Sequence, residues 1–400
     1  MKNLMNLLET ASLLFLPARD VDVSPHFLFC VMKSKQISPE KICERFSERS
    51  YLRDNSLAKE CQNFMLKNWE PESLYDCSIF IENNDADEIE ILNRWDIFTD
   101  YMFDFNKVYQ NIDEVHERYS IFHDNLEFIN EHNDGNHSYK LGINQYADWS
   151  NSEFKNYVSS GSFGLGMKTT CPKAADVSGA LPSSVDWRDK GIVNTPMQQG
   201  SVGTCYSFST TASMEGALAQ KTGTFTKLSE QAIVDCAGIM YGDMGINGGS
   251  MEGSFNFIHD NGIPTEESYP YMAKQGTCQK YTSVVKNSGC YEVPANELQV
   301  TYVVSQRVVS IAVQADSRSF QLYSSGVFDD SKCYSGSLDH GVALVGYGHD
   351  SSSNKDYYIL RNSWDTTWGE SGYMRIKRNS VASSTEGMCG LAMMSSYPVL

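Results

Sequence analysis

A cysteine at the start of a helix can act as a nucleophile, because unpaired N–H groups and the positive end of the helix dipole favour its thiolate. Cys205 sits in such a place. The segment QQGSVGTCYSFST, Gln198 to Thr210, is a glycine-rich loop running into a pattern that predicts a helix over Tyr206–Gln220, ended by Gly223. Alone, such a cysteine is more often a packed thiol. Two later segments supply groups able to work with it. His340 stands in LDHGVALVGYG, just ahead of a β-type run, and Asn362 in YYILRNSWDTTWGESGY. A thiol, an imidazole and an amide are the materials of covalent acyl transfer. His259 and His349 have no such company and read as surface or turn residues.

The elements that must position these groups change character along the chain. From Leu181 onward there is more glycine, with β-type runs at Val342–Gly348 and Tyr357–Arg361. Upstream, residues 92–158 read as a separate unit. Trp95, Phe98, Tyr101 and Phe105 recur at helical spacing. A long helix follows, carrying Glu114, Arg118, Phe122, Asn125, Ile129 and Asn133 on one side, with Glu114 and Arg118 placed for an i,i+4 ion pair. Then come Gly142, Asn144, Tyr146 and Asp148. Residues 159–180, rich in Ser, Gly, Lys and Thr, read as an exposed linker suited to cleavage.

A chain of 400 residues suggests two or three domains, and 41 % hydrophobic with 20 % charged residues allows a real core. The net charge is −18, without a basic tail or stripe, which argues against nucleic acid as a ligand. No run of eighteen apolar residues is present, so no membrane span is expected. Near the N-terminus, Glu9 interrupts the apolar approach and Pro17-Ala18 lacks a cleavage pattern, so no clear signal peptide is read. Eleven cysteines leave at least one unpaired within the chain. Cys30, Cys43, Cys61 and Cys77 lie at helix-like spacings and read as buried thiols.

The segments around Cys205, His340 and Asn362 resemble the papain-family, cathepsin L-like cysteine proteases, over about residues 92–400. The six residues of the long helix match the E-R-F-N-I-N pattern of that family's propeptides, and Gly142 to Asp148 match G-x-N-x-F-x-D with Tyr146 for Phe. The resemblance implies an α+β, papain-like two-domain fold over 181–400, with a helical half and a β-rich half. It implies an inhibitory propeptide over 92–158, with Asp148 as a pH-sensitive tie, and a cleavable linker over 159–180. It makes Cys205 the nucleophile, His340 its acid/base partner, Asn362 the orienter of the imidazole and Gln199 an oxyanion donor. Trp364 would shield the Asn–His contact. Gly203, Gly248 and Gly249 would let substrate approach, and Met251, Ala312, Leu338, Gly341 and Met394 would line the pocket for the residue two before the scissile bond (P2). Substrates would be proteins or peptides, with bulky apolar residues preferred at P2. No metal or organic cofactor is needed, and the compartment would be lysosomal or extracellular.

The same resemblance implies the disulfides Cys236–Cys278 and Cys333–Cys389. Cys171 and Cys290 have no family partner, and a bridge between them is one arrangement open to the chain. The sequence also departs from the family. The usual G-S-C-W appears as Gly203, Thr204, Cys205 and Tyr206, and a family disulfide is replaced by Val202 and Ile246, two apolar residues able to fill its space. Ahead of all this, residues 1–80 resemble the helical BACK region of BTB/Kelch-type adaptor proteins, on the stretch KSKQISPEKICERFSERSYLRDNSLAKECQNFMLKNW. That front would offer a protein partner a helical surface. The alternative reading is an adaptor whose protease-like part is passive, and reactivity of Cys205 towards an epoxysuccinyl peptide separates the two.

Overall fold

The computed structural model describes residues 94, 97–98, 100–109, 112–159, 171–333, 336–379 and 386–400. The BACK-like reading of 1–80, and the four early cysteines, lie outside them. The chain divides into two compact units, 1–127 and 128–400. In the first, helical residues 97–98 and 100–104 bring Phe98 and Tyr101 against Phe122, at ring-centroid distances of 5.2 and 4.7 Å. Tyr119 meets Phe98 edge-on at 5.5 Å. These aromatic spacings are the helical ones read from sequence, converging on one small core. The long helix is present as α1, Ile112–Asp134, with Phe122, Asn125 and Ile129 buried.

The second unit begins at Phe128 and opens with the end of α1. Asn133 donates from Nδ2 to the carbonyl of Leu141 (2.8 Å) and accepts its N–H (3.0 Å), so one side chain brackets strand β1, Tyr139–Leu141. The short helix α2, Asn151–Ser159, follows. Helix α3, Cys205–Thr222, starts one residue earlier than the pattern suggested and ends at Gly223, whose φ of 74° is left-handed. Helices α4, Glu230–Cys236, and α5, Met251–Asn261, are each capped by a serine, Ser229 accepting from the N–H of Ala232 and Ser250 from that of Gly253.

The strands are β2 (Val185–Asp186), β3 (Gly289–Glu292), β4 (Val309–Val313), β5 (Tyr323–Phe328), β6 (His340–Asp350), β7 (Lys355–Arg361), β8 (Tyr373–Lys377) and β9 (Ser395–Val399), with helix α6, Glu297–Val304, between β3 and β4. They join as β1-β5-β8-β7-β6-β4-β9-β3, with β2 beside β6. The β5–β8 pair is parallel and the other pairs are antiparallel. β4 is buried throughout and β6 from His340 to Gly348, as in strands covered on both faces. Helix α3 packs on this centre. Ser209 Oγ donates to the carbonyl of Val342 (2.6 Å), and Ser310 Oγ donates to the carbonyl of Ser209 (2.8 Å). At Gly216 an added Cβ would lie 2.8 Å from Val308 Cγ2, so the helix and sheet approach closely there.

Three disulfides staple this unit: Cys171–Cys290, Cys236–Cys278 and Cys333–Cys389. Between α3 and α4, Lys227 bonds Glu230 and lies 3.3 Å from Glu215, both carboxylates being buried. Burial works against the Lys227 charge, but the two carboxylates prevail and raise its pKa. Lys227→Met should therefore strand two buried acids and lower stability by about 3–5 kcal/mol. Urea unfolding of a Cys205→Ala zymogen with and without this change measures it, and an unchanged midpoint would refute the argument.

Candidate active site

Cys205 stands at the first turn of α3, buried to 1 % exposure, and is the free cysteine among the described residues. His340 is the first residue of β6, placed by its pairing with Val313, and is also 1 % exposed. The backbone N–H of Gly341, the next residue, is among the groups that favour the Cys205 thiolate, so helix and strand converge at these two side chains. Asn362 follows the last residue of β7, the strand beside β6. Its Oδ1 lies 2.7 Å from His340 Nε2 and accepts the N–H of Ser363 at 2.8 Å, which fixes the amide with oxygen towards the imidazole. Nε2 must then carry the proton, which leaves Nδ1 as the acceptor nitrogen of a neutral imidazole. Trp364 stacks on the imidazole, with centroids 4.5 Å apart.

Gln199 is held from both sides. Its Oε1 accepts from Ser363 Oγ (2.6 Å), and its Nε2 donates one hydrogen to the carbonyl of Val202 (2.8 Å). Its backbone N–H donates to the carbonyl of Ser363 (2.9 Å), and Tyr271 OH donates to its own carbonyl (2.6 Å). One loop and the segment after β7 are thus locked together. Ser363 and Tyr271 carry no signal in sequence that would have marked them.

The other residues singled out from sequence fall into one region. Met251, Ala312 and Leu338 are buried in the apolar cluster that includes Cys205, with Met394 half-buried against it. The carbonyl of Met394 accepts from Ala312 N–H (3.0 Å), and Ala312 pairs with Gly341. Gly203 is buried beside Cys205. Gly248 has a φ of 107°, a conformation for glycine. At Gly249 an added Cβ would lie 2.6 Å from the Tyr206 ring and from Asp243 Oδ1, so packing inside the loop itself excludes a side chain.

Val202 and Ile246 are each half-buried, and their two segments are joined by hydrogen bonds. Gly203 N–H donates to the carbonyl of Ile246 (2.8 Å), and Tyr206 OH donates to that of Gly245 (3.1 Å). Asp243 accepts from Ser250 N–H (2.8 Å) and Ser254 Oγ (3.0 Å), closing the loop. Tyr206 is therefore an additional anchor between the two segments that carry Val202 and Ile246.

Residues 139–158 occupy the same neighbourhood. Gly142 N–H donates to the carbonyl of Leu322 (2.9 Å), Asn144 Nδ2 to that of Gln321 (2.8 Å), and Gln321 Nε2 to that of Tyr146 (3.0 Å). Gln145 Nε2 donates to the carbonyl of Trp364 (2.5 Å). The rings of Tyr146 and Phe154 stand edge-on to the Trp364 indole at 5.6 and 5.3 Å. Burial raises the Tyr157 phenol well above 10, with Cys205 among the groups that add to this.

In that covered state burial pushes the Cys205 thiol up to about 12, against the Gly341 N–H, and pushes His340 down to about 4, against its bond to Asn362. The helix-start argument for a thiolate is overridden here, because desolvation outweighs the dipole.

The profile of the papain family cysteine proteases matches residues 181–399, more than half of the chain. The chain belongs to the papain family of cysteine proteases. Ahead of the peptidase, the cathepsin propeptide inhibitor domain matches residues 98–154. A probable cysteine protease, RD21B of Arabidopsis thaliana, is 45 % identical over 72 % of this chain, which spans 61 % of that relative. Cathepsin L of Sarcophaga peregrina is 40 % identical over 75 % of this chain and 91 % of its own length. Among solved structures, digestive procathepsin L 3 of Tenebrio molitor larval midgut superposes with a TM-score of 0.70 at 38 % identity, over 77 % of this chain and 99 % of that one. The peptidase and its inhibitor domain are thus present in one chain. None of the described helices is long and apolar enough to cross a membrane.

Proposed function

We propose that the chain is a self-inhibited cysteine endopeptidase in which Cys205 attacks the peptide carbonyl. The observation that carries this reading is the 2.7 Å contact of His340 Nε2 with Asn362 Oδ1, which leaves Nδ1 for the thiol. The Cys205 proton passes to Nδ1 as sulfur bonds to carbon. The oxyanion is met by the second Nε2 hydrogen of Gln199 and by the Cys205 N–H at the helix start. His340 returns the proton to the leaving amine, and water then releases the acyl group from sulfur. Labelling of Cys205 in the processed protein by an epoxysuccinyl peptide tests this, and a protein that does not label sinks it.

The reading extends to specificity. Met251, Ala312, Leu338, Gly341 and Met394 form the P2 pocket, supported by the cluster of Met251, Ala312 and Leu338, by Met394 packed against it and by the pairing of Ala312 with Gly341. None is charged, so Leu or Phe gains about 1.5–3 kcal/mol of burial while Arg would lose its hydration. A substrate library should show Leu and Phe preferred over Arg, and Met394→Glu should raise tolerance for Arg. Arg preferred in the unmutated enzyme would overturn the assignment.

Residues 92–158 are the intramolecular inhibitor, and Asp148 is buried in the 139–158 segment. The compartment is lysosomal or extracellular, by likeness to cathepsin L-like relatives. A protein partner for residues 1–80 rests on their sequence pattern alone.

A further inference from the structure

The segment between inhibitor and peptidase is not a free linker along its whole length. Cys171 is bonded to Cys290 in β3, and both are buried in the cluster that holds Met251 and Leu338. Beyond the disulfide the backbone meets the edge of β3 in a single bridge. Glu292 N–H donates to the carbonyl of Pro172 (3.0 Å), and Ala174 N–H donates to that of Glu292 (2.8 Å), so Lys173 pairs with Glu292 in parallel. Gln299, on α6, then grips Val177, taking its N–H (2.7 Å) and donating to its carbonyl (3.0 Å). Tyr302 OH donates to the carbonyl of Gly179 (2.7 Å). Residues 171–179 are fastened to the peptidase by a covalent bond and five hydrogen bonds.

We propose that residues 171–180 are a permanent strap of the active enzyme, and that no cut between Cys171 and Leu181 frees the inhibitor while the bridge is intact. This rests on the reading of the preceding domain as the inhibitor. The reason is geometric. The inhibitor reaches the peptidase through Cys171, and a cut beyond that residue leaves this connection unchanged. The inhibitor therefore keeps the local concentration of an intramolecular ligand, and cleavage there is silent. A cut ahead of Cys171 removes the connection and leaves the strap in place.

The test uses two full-length zymogens, each with one inserted recognition sequence for a site-specific viral protease. In one the insert lies between Ala180 and Leu181, in the other between Thr170 and Cys171. Both are cut to completion at neutral pH without reductant, then exposed to an epoxysuccinyl peptide. The first should keep one covalent mass and label at the rate of its uncut form. Denaturation with dithiothreitol, which is oxidised to its disulfide as Cys171 and Cys290 become thiols, should split it in two. The second should give two masses without reductant and label about 100-fold faster. Two masses from the first zymogen without reductant would overturn the bridge, and fast labelling of its single mass would overturn the silent cut. Should the uncut zymogens label as fast as the second one after cutting, the inhibitor reading fails, while the mass result still decides the bridge. In the wild-type chain matured by its own activity, the N-terminal residue should fall at or before Cys171. A start between Pro172 and Leu181, with no attached inhibitor before reduction, contradicts the proposal.

Discussion

Replacing Cys205 with alanine abolishes peptide hydrolysis and leaves the fold intact. The side chain lost is small and its neighbours are already set by α3 and β6, so only about one buried sulfur's worth of packing goes with it. The chemical loss is complete, because Cys205 is the free cysteine among the described residues. Turnover of a fluorogenic peptide should fall on the order of 10⁴-fold or more once the variant zymogen is processed by an added protease. His340→Ala should be as severe, since the thiol then has no base. Asn362→Ala should cost less, about 10²-fold, because it removes orientation of the imidazole and leaves the proton carrier in place. Circular dichroism and elution volume matching the parent would confirm folding, and residual turnover by the purified Cys205→Ala protein would refute the assignment.

The second result concerns protonation. With the thiol pushed up to about 12 and the imidazole pushed down to about 4, both groups are neutral at every pH between those values. In the zymogen, alkylation of Cys205 by iodoacetamide should be slow and should rise with pH, as the thiolate fraction grows tenfold per unit below the thiol pKa. After the inhibitor leaves, water reaches both groups, the burial cost falls, and proton transfer from sulfur to His340 gives an ion pair. Alkylation should then be fast already at pH 5–6, by more than about 10³-fold over the zymogen at the same pH. Peptide mapping of the alkylated cysteine separates Cys205 from other thiols. Equal rates in the two forms would show that burial does not hold the pair neutral.

Much of this arrangement is legible in sequence where a local rule governs it. The spacing of Phe122, Asn125 and Ile129 writes α1, and all three are buried on one side of it with Tyr119 and His132. Gly223 ends α3 because a left-handed residue is needed there. What sequence did not reveal depends on contacts between distant segments. Nothing local says that Asn133 clasps Leu141, or that Tyr206 reaches Gly245. Cys171 and Cys290 are 119 residues apart, and their bond follows from the strap running beside β3. The thiol's protonation state was hidden for the same reason. The helix start is visible in the residues around Cys205, whereas the depth of burial is a property of everything folded over it.

Strand β1 gives activation a cost on the far side of the sheet from the strap. It is the last strand on that edge, pairing with Tyr323, Ser325 and Gly326 of β5, and it belongs to the part that departs. Losing it turns an interior strand into a border with bare N–H and C=O groups, the kind of template on which extended chains from other molecules assemble. Gly326 would be the most open point, since the backbone of Ser138 and Tyr139 now lies where its Cβ would be. Strand β1 thus covers the backbone edge of β5 in this structure.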